Sequence, residues 1–362
     1  MLLSNGPLSS SLPQAQGLAL ADKLCQRDRV TICTISDGAL MEGEAKEALS
    51  SIPGLAQKNK LNPFIMVISD NNTKLSGRIS DDSFSMNPTF DSLDNLGWKV
   101  TKITDGHNLE NVYQELETAI ANVKDDPTRP IVVWVKTIKG KGVKSTEDSP
   151  SGGHGFPLKK HDPKITEFLS EIFNGTPPDE FIELAKMGLT KDENQDKAGS
   201  AVKKQKIQIG IADALSKAKN EGLPIFSISS DLQGSTGLKG FQSKFPHSYV
   251  DVGIAEANMV SIAAGCAKAG LIPIVDTFAQ FGVTKGNLPL TMAALSSAPV
   301  IAIFSHTGMQ DAADGASHQA TTYISATANI PNTEVISCSC SEEAESYLYP
   351  VSYTHLTLPT KA

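Results

Sequence analysis

The sequence predicts an α/β protein made of two parallel-sheet domains. Three observations point there. Short apolar, β-branched runs at 64–69 (FIMVIS), 130–136 (PIVVWVK) and 299–304 (PVIAIF) read as buried strands. Helical stretches separate such runs, and strand–helix–strand connections imply parallel pairing. The alternation stops over 137–205, where Lys, Asp, Glu, Gly and Pro accumulate, and then restarts. The expected domains are therefore 1–165 and 205–350, with a partly helical linker at 166–204 and a tail at 351–362.

In chain order, 14–24 (QAQGLALADKL) has helical spacing and 30–35 (VTICTI) is a β-rich run closed by the turn Ser36-Asp37-Gly38. Residues 41–58 return to helical spacing and are expected to break at Pro53-Gly54. Strand 64–69 ends in Asp70-Asn71-Asn72. Residues 90–96 look helical, 99–103 form a strand, Asn108 caps a helix to Val123, and 130–136 is a third strong strand. In the second half, helices are expected at 207–218, 257–269 and 288–295. Strands are expected at 224–229, 249–252, 272–276, 299–304 and 334–337. Trp98 and Trp134 are assigned to the core.

Composition excludes several classes. A net charge of −8 argues against a nucleic-acid partner, which needs a basic face. No apolar run approaches the length of a transmembrane helix. The start, MLLSNGPLSSSLPQAQG, is unlike a signal peptide, so a cytoplasmic protein is expected. Five scattered cysteines with no C-x-x-C pair make neither a disulfide framework nor a zinc ribbon. There is no G-x-G-x-x-G, and Gly140-Lys141-Gly142 does not complete a Walker loop.

Ligands of open parallel sheets sit beyond the carboxyl ends of the strands. Polar clusters fall at such ends: 36–38, 70–72, 137–143 and 305–318. Asp37 and Asn72 each terminate a strand, with one helix between them. Read alone, they are either turn formers or hard oxygen ligands for Mg²⁺ or Ca²⁺ bridging a diphosphate. Glu256, at the start of a helix, is either a carboxylate favoured by the helix dipole or a buried carboxyl of raised pKa.

The segment from Ser36-Asp37-Gly38 to Asn71-Asn72 resembles the thiamine-diphosphate motif, with Ser36 in place of its first glycine and a spacer a few residues longer. Further segments resemble the transketolase family. These are Gly6-Pro7-Leu8, GGHGFPLK around His154, DLQGS ending at Ser235, DVGIAEANM around Glu256, DTFAQF with Phe278 and Phe281, and SHTGMQDAADGASHQ with His306, Asp314 and His318. The resemblance covers roughly 6–335. It implies a diphosphate-binding domain followed by a pyrimidine-binding domain. It also implies transfer of a two-carbon ketol unit from a ketose (phosphate) to an aldose (phosphate).

By the same resemblance, Asp37, Asn72 and the backbone carbonyl of Lys74 hold Mg²⁺ (or Ca²⁺). Gly6, Pro7, Leu8, Gly38, Phe278 and Phe281 contact thiamine diphosphate, and Glu256 bonds its aminopyrimidine. His154, His306 and His318 exchange protons with the sugar, while Asp314 and Ser235 bind it. A homodimer with interfacial sites is implied.

Deoxyxylulose-phosphate synthase, the decarboxylase component of a 2-oxoacid dehydrogenase, or a non-catalytic homologue are the alternatives. Ser337 stands near an expected phosphate-gripping arginine, and Thr284 where a tyrosine is frequent. Relative to the family, the first domain is expected to lack its opening units and a C-terminal domain to be absent. The segment VSYTHLTLPTKA resembles a translated sequencing adapter.

Overall fold

The computed structural model describes residues 3, 6–154, 158, 162–189, 206–309 and 314–354. Two four-stranded sheets, all parallel, form the frame. The first has the order β1 (Thr31–Ser36), β2 (Phe64–Asp70), β4 (Ile131–Lys136), β3 (Lys99–Ile103). The second has the order β6 (Tyr249–Asp251), β5 (Ile225–Ser229), β7 (Ile272–Phe278), β8 (Ile301–Ser305).

Alternating side chains in the first sheet serve two separate cores, as the unbroken apolar strands require. Met66, Ile68, Val132 and Trp134 pack with the helices Ser11–Leu24 and Gly43–Gln57. Ile65, Ile131, Val133 and Val135 pack on the other face with Ala119 and Val123 of helix Leu109–Asp125. That helix starts where Asn108 accepts the N–H of Asn111 at 3.1 Å, the expected cap. Trp98 and Trp134 are buried, as expected.

The second sheet is covered in the same way. Leu215, Ile225, Phe241, Ile272 and Ile274 form one core and Ile228, Met259, Val260 and Val275 the other. Among the described residues, no helix is long and apolar enough to cross a membrane.

Four expectations change, the first being the helix expected at 90–96, which runs instead over Asn87–Asp91 and gives way to turns at 92–97. The helix Gly43–Gln57 runs unbroken through Pro53. Proline removes the N–H that would bond the Leu49 carbonyl one turn back, but the Trp98 indole N–H takes that carbonyl at 2.7 Å. Residues 334–337 form no strand; Val335 and Ile336 stay exposed, and the fold offers their β-branched side chains no sheet partner. The expected tail begins inside an ordered element. Helix Ser341–Thr354 includes 351–354, with Leu348, Tyr349 and Val351 packed on the second core. Residues 355–362 and 190–205, the rest of the tail and much of the linker, lie outside the described residues.

Helix Ser341–Thr354 crosses helix Gln208–Asn220 so closely that a Cβ on Gly210 would lie 1.9 Å from the Ser341 carbonyl oxygen. Gly210→Ala is therefore expected to destabilise by about 1–3 kcal/mol, although alanine is the better helix former by roughly 1 kcal/mol. A thermal-unfolding midpoint equal to or above that of the parent would contradict this packing.

Candidate functional site

The strand ends of both sheets gather the charged residues. Asp37 follows β1, and its amide bonds the Ser69 carbonyl of β2 at 3.2 Å. The carboxylate is 1% exposed and accepts three backbone N–H groups: Gly38 at 2.9 Å, Asn71 at 3.1 Å and Asn72 at 2.6 Å. Burial pushes its pKa up to about 6, against the pull of the bonded amides. A carboxylate offers about four acceptor positions, so one remains for a further partner.

The neighbouring amides differ in what they have left. The Asn71 side-chain oxygen accepts both the amide and the hydroxyl of Thr73. The Asn72 oxygen accepts only the Ser80 amide at 2.9 Å, which leaves a lone pair. The Thr73 carbonyl lies near this turn: a Cβ on Gly38 would lie 3.5 Å from it and 3.3 Å from Ile254. The Lys74 side chain points elsewhere, to the buried Asp231 and Asp251 and the more exposed Asp82. Among the described residues, no group of three or more His, Cys, Asp or Glu side chains is arranged to hold a metal. A cation here would depend on one carboxylate supplemented by amide and carbonyl oxygens, a donor set suited to Mg²⁺ or Ca²⁺.

Across from this turn, Glu256 opens helix Glu256–Lys268. It is 4% exposed, and its Oε2 has no hydrogen-bond partner. Burial raises its pKa to about 7, and the charge of Asp231 adds to that rise. An orphaned buried carboxyl costs free energy unless something else completes it.

The aromatic and histidine residues converge on one another. Phe278, at the end of β7, lies with its ring 4.1 Å from that of His306 and 6.1 Å from that of Phe281. His318 meets Phe281 edge-on at 5.1 Å. His306 and Ser235 line a cavity of about 290 Å³ together with Lys206, Gln208 and Gly234. The backbone of Gly6 lies against Ser317, next to His318, and the Leu8 carbonyl accepts the Lys285 ammonium at 3.0 Å. Pro7 is carried between these two anchored residues.

His154 bonds Lys139. Burial and that ammonium depress the histidine pKa, while Asp231 and Asp314 oppose them. The imidazole is thereby kept neutral near pH 7, the form able to accept a proton. Asp37, His154, Glu256 and Asp314 are thus joined electrostatically through Lys139 and Asp231.

Sequence reasoning missed three interactions. Lys139 lies within the 137–143 cluster, but nothing there shows that it bonds His154 and feels the charge of Asp37. Glu42 and Lys285 form an ion pair between the domains. The Lys74 ammonium reaches aspartates 157 and 177 residues away, a distance that no local pattern reveals.

Residues 3–217 match the family model described as the transketolase thiamine diphosphate binding domain, and 203–351 match the transketolase pyrimidine binding domain. The chain belongs to the transketolase family. It is 29% identical over 345 residues to human transketolase, covering 92% of this chain and 52% of that protein. It is 26% identical over 389 residues to a 1-deoxy-D-xylulose-5-phosphate synthase of Clostridium perfringens, covering 95% of this chain and 56% of that one. The chain thus spans about half the length of these curated relatives. Among solved structures, transketolase from Leishmania mexicana is similar at 22% identity, with a TM-score of 0.39 over 97% of this chain and 59% of that one.

The residues suit thiamine diphosphate on two observations. The Glu256 Oε2 is an orphaned buried carboxyl oxygen that a ring nitrogen can complete by sharing one proton with it. Asp37 and the Asn72 side-chain oxygen each keep an acceptor position for a divalent cation that a diphosphate requires.

Proposed function

We propose that this chain carries a thiamine-diphosphate site, dependent on a divalent cation, that transfers a two-carbon ketol unit from a ketose (phosphate) to an aldose (phosphate). The observation that carries the proposal is the unpartnered Oε2 of Glu256, buried in a chain whose matched family model is a thiamine diphosphate binding domain. In this reading Asp37 and Asn72 hold Mg²⁺ or Ca²⁺, with a backbone carbonyl from Thr73 or Lys74. Gly6, Pro7, Leu8 and Gly38 border the cofactor, and Phe278 and Phe281 flank its aminopyrimidine.

Bound thiamine diphosphate supplies carbanion chemistry at its thiazolium ring. The chain's own residues do the rest. Glu256, with its pKa near 7, shares a proton with the aminopyrimidine. Neutral His154 takes a proton from a substrate hydroxyl, and His306 and His318 form the wall facing the sugar. Asp314 and Ser235 orient its hydroxyls, with Ser235 on the 290 Å³ cavity beside Lys206.

Titration calorimetry with thiamine diphosphate and Mg²⁺ tests the binding. A panel of ketose donors and aldose acceptors, with and without phosphate, tests the transfer. The Clostridium relative supports a second reading, deoxyxylulose-phosphate synthesis. Consumption of a 2-oxoacid with release of CO₂, and no ketol transfer, would select it.

A homodimer belongs to the same proposal, although the Asp37–Asn72 turn and Ile254 meet within one chain, where the resemblance implies a site shared between two. Helix Asn287–Leu295 leaves Leu288 at 67%, Met292 at 48% and Leu295 at 62% exposed. Spacings of four and three residues place them on one apolar stripe, of the kind a second copy covers. The paired change Leu288→Glu and Leu295→Glu is expected to convert a dimer to monomer in sedimentation velocity. An unchanged dimer would move the interface elsewhere.

A further inference from the structure

We propose that Lys74 is a positioning residue: its ammonium fixes the Asp37–Asn72 turn against the Asp251–Glu256 segment and so registers the two halves of the cofactor cleft. The idea rests on the cofactor reading above for what the cleft holds, but its geometry stands independently.

The Lys74 side chain is fully buried, with Nζ 2.9 Å from Asp231, 2.8 Å from Asp251 and 3.2 Å from Asp82. Asp231, just past β5, also accepts the amides of Leu75 at 2.8 Å and Ser76 at 2.9 Å. Asp251, the last residue of β6, accepts the Ser83 hydroxyl at 3.1 Å and the Gly253 amide at 2.7 Å. The next residue, Ile254, lies against Gly38, whose neighbour Asp37 holds the Asn72 amide.

The contacts therefore close a ring: Asn72 to Lys74 along the chain, Lys74 to Asp251, Asp251 through Gly253 to Ile254, Ile254 to Gly38, and Asp37 back to Asn72. Glu256 follows Ile254 by two residues, so its carboxyl is placed by the same ring. A buried ion pair adds little net stability over an apolar replacement, and its best-attested use is to select one register.

The test compares the full chain with Lys74→Met and with Lys74→Met/Asp251→Asn. The double variant removes one charge of each sign. It leaves Asp231 bonded to the amides of Leu75 and Ser76. Three quantities are measured: the thermal midpoint, the affinity for thiamine diphosphate with Mg²⁺, and amide hydrogen exchange.

Lys74→Met alone leaves carboxylates uncompensated and is expected to be strongly destabilised. The double variant is expected to regain most of the lost midpoint, yet bind thiamine diphosphate at least tenfold more weakly. Exchange is expected to quicken at 71–78 and 251–256 and to stay unchanged in β2 and β7. Recovery of affinity together with stability would overturn the proposal and leave Lys74 a structural ion pair. If the parent chain binds no thiamine diphosphate, the cofactor reading fails and exchange alone decides. Faster exchange confined to the two segments supports the tether, and parental rates overturn it.

Discussion

Asp37→Asn is expected to weaken binding of thiamine diphosphate with Mg²⁺ by at least about 100-fold while leaving the chain folded. The amide keeps an oxygen for the Gly38 N–H or for the Asn71 and Asn72 N–H groups, whereas alanine would strand all three donors at roughly 1–3 kcal/mol each. What asparagine removes is the formal charge, the main attraction for a hard divalent cation in this donor set. The variant is also relieved of a buried carboxylate whose pKa stands at about 6, which offsets part of the cost of the stranded N–H donors, so its thermal midpoint without metal at pH 8 should fall less than that of Asp37→Ala. Calorimetry with Mg²⁺, Ca²⁺ and chelator separates the two effects. Parental affinity in Asp37→Asn would remove Asp37 from the metal site. Asn72→Ala should follow Asp37→Asn; loss on Asn71→Ala instead would shift the amide ligand to its neighbour.

The second large effect is on stability against pH. Glu256 rises from 4.5 to about 7 and Asp276 from 3.8 to about 7, each chiefly through burial. The folded state therefore binds more protons than the unfolded chain between these limits. By linkage its stability falls as pH rises toward 7 and levels off above it. Each group contributes up to about 1.4 kcal/mol per pH unit inside that window. Asp276 is 0% exposed and bonds Ser229 at 3.2 Å and Thr236 at 2.6 Å through one oxygen, with its other oxygen unpartnered. The chain without cofactor should thus melt higher at pH 5 than at pH 8, and Asp276→Asn should flatten the slope. A midpoint that climbs from pH 5 to pH 8 would contradict the burial of both carboxyls. Thiamine diphosphate, by completing Glu256, should raise the midpoint under all these conditions.

Legibility followed the range of the interactions. FIMVIS and PIVVWVK were readable as strands because both faces of the first sheet are covered, so apolar side chains fill every position. The cluster of Phe278, Phe281, His306 and His318 was readable only through family resemblance; spacing alone could not bring together residues as far apart as Phe278 and His318. The helix runs through Pro53 against expectation because its repair comes from Trp98, far along the chain. Val335 and Ile336 have strand-like side chains, yet propensity depends on a neighbouring strand, and none of the described strands adjoins them. Lys74 was read for its backbone, and its side chain proved to join the domains. Long side chains carry charge to places that periodicity does not encode.

The same lysine places a constraint on synthesis. At roughly 5–20 residues per second, the 177 residues separating Lys74 from Asp251 take about 9–35 s to translate. Throughout that interval the first sheet can assemble, since β4 is complete by Lys136, but of the three carboxylates around its ammonium the loop beyond β2 has only the more exposed Asp82. That loop must stay hydrated until the second half emerges from the ribosome. Maturation of the first domain is thereby timed by the translation of the second.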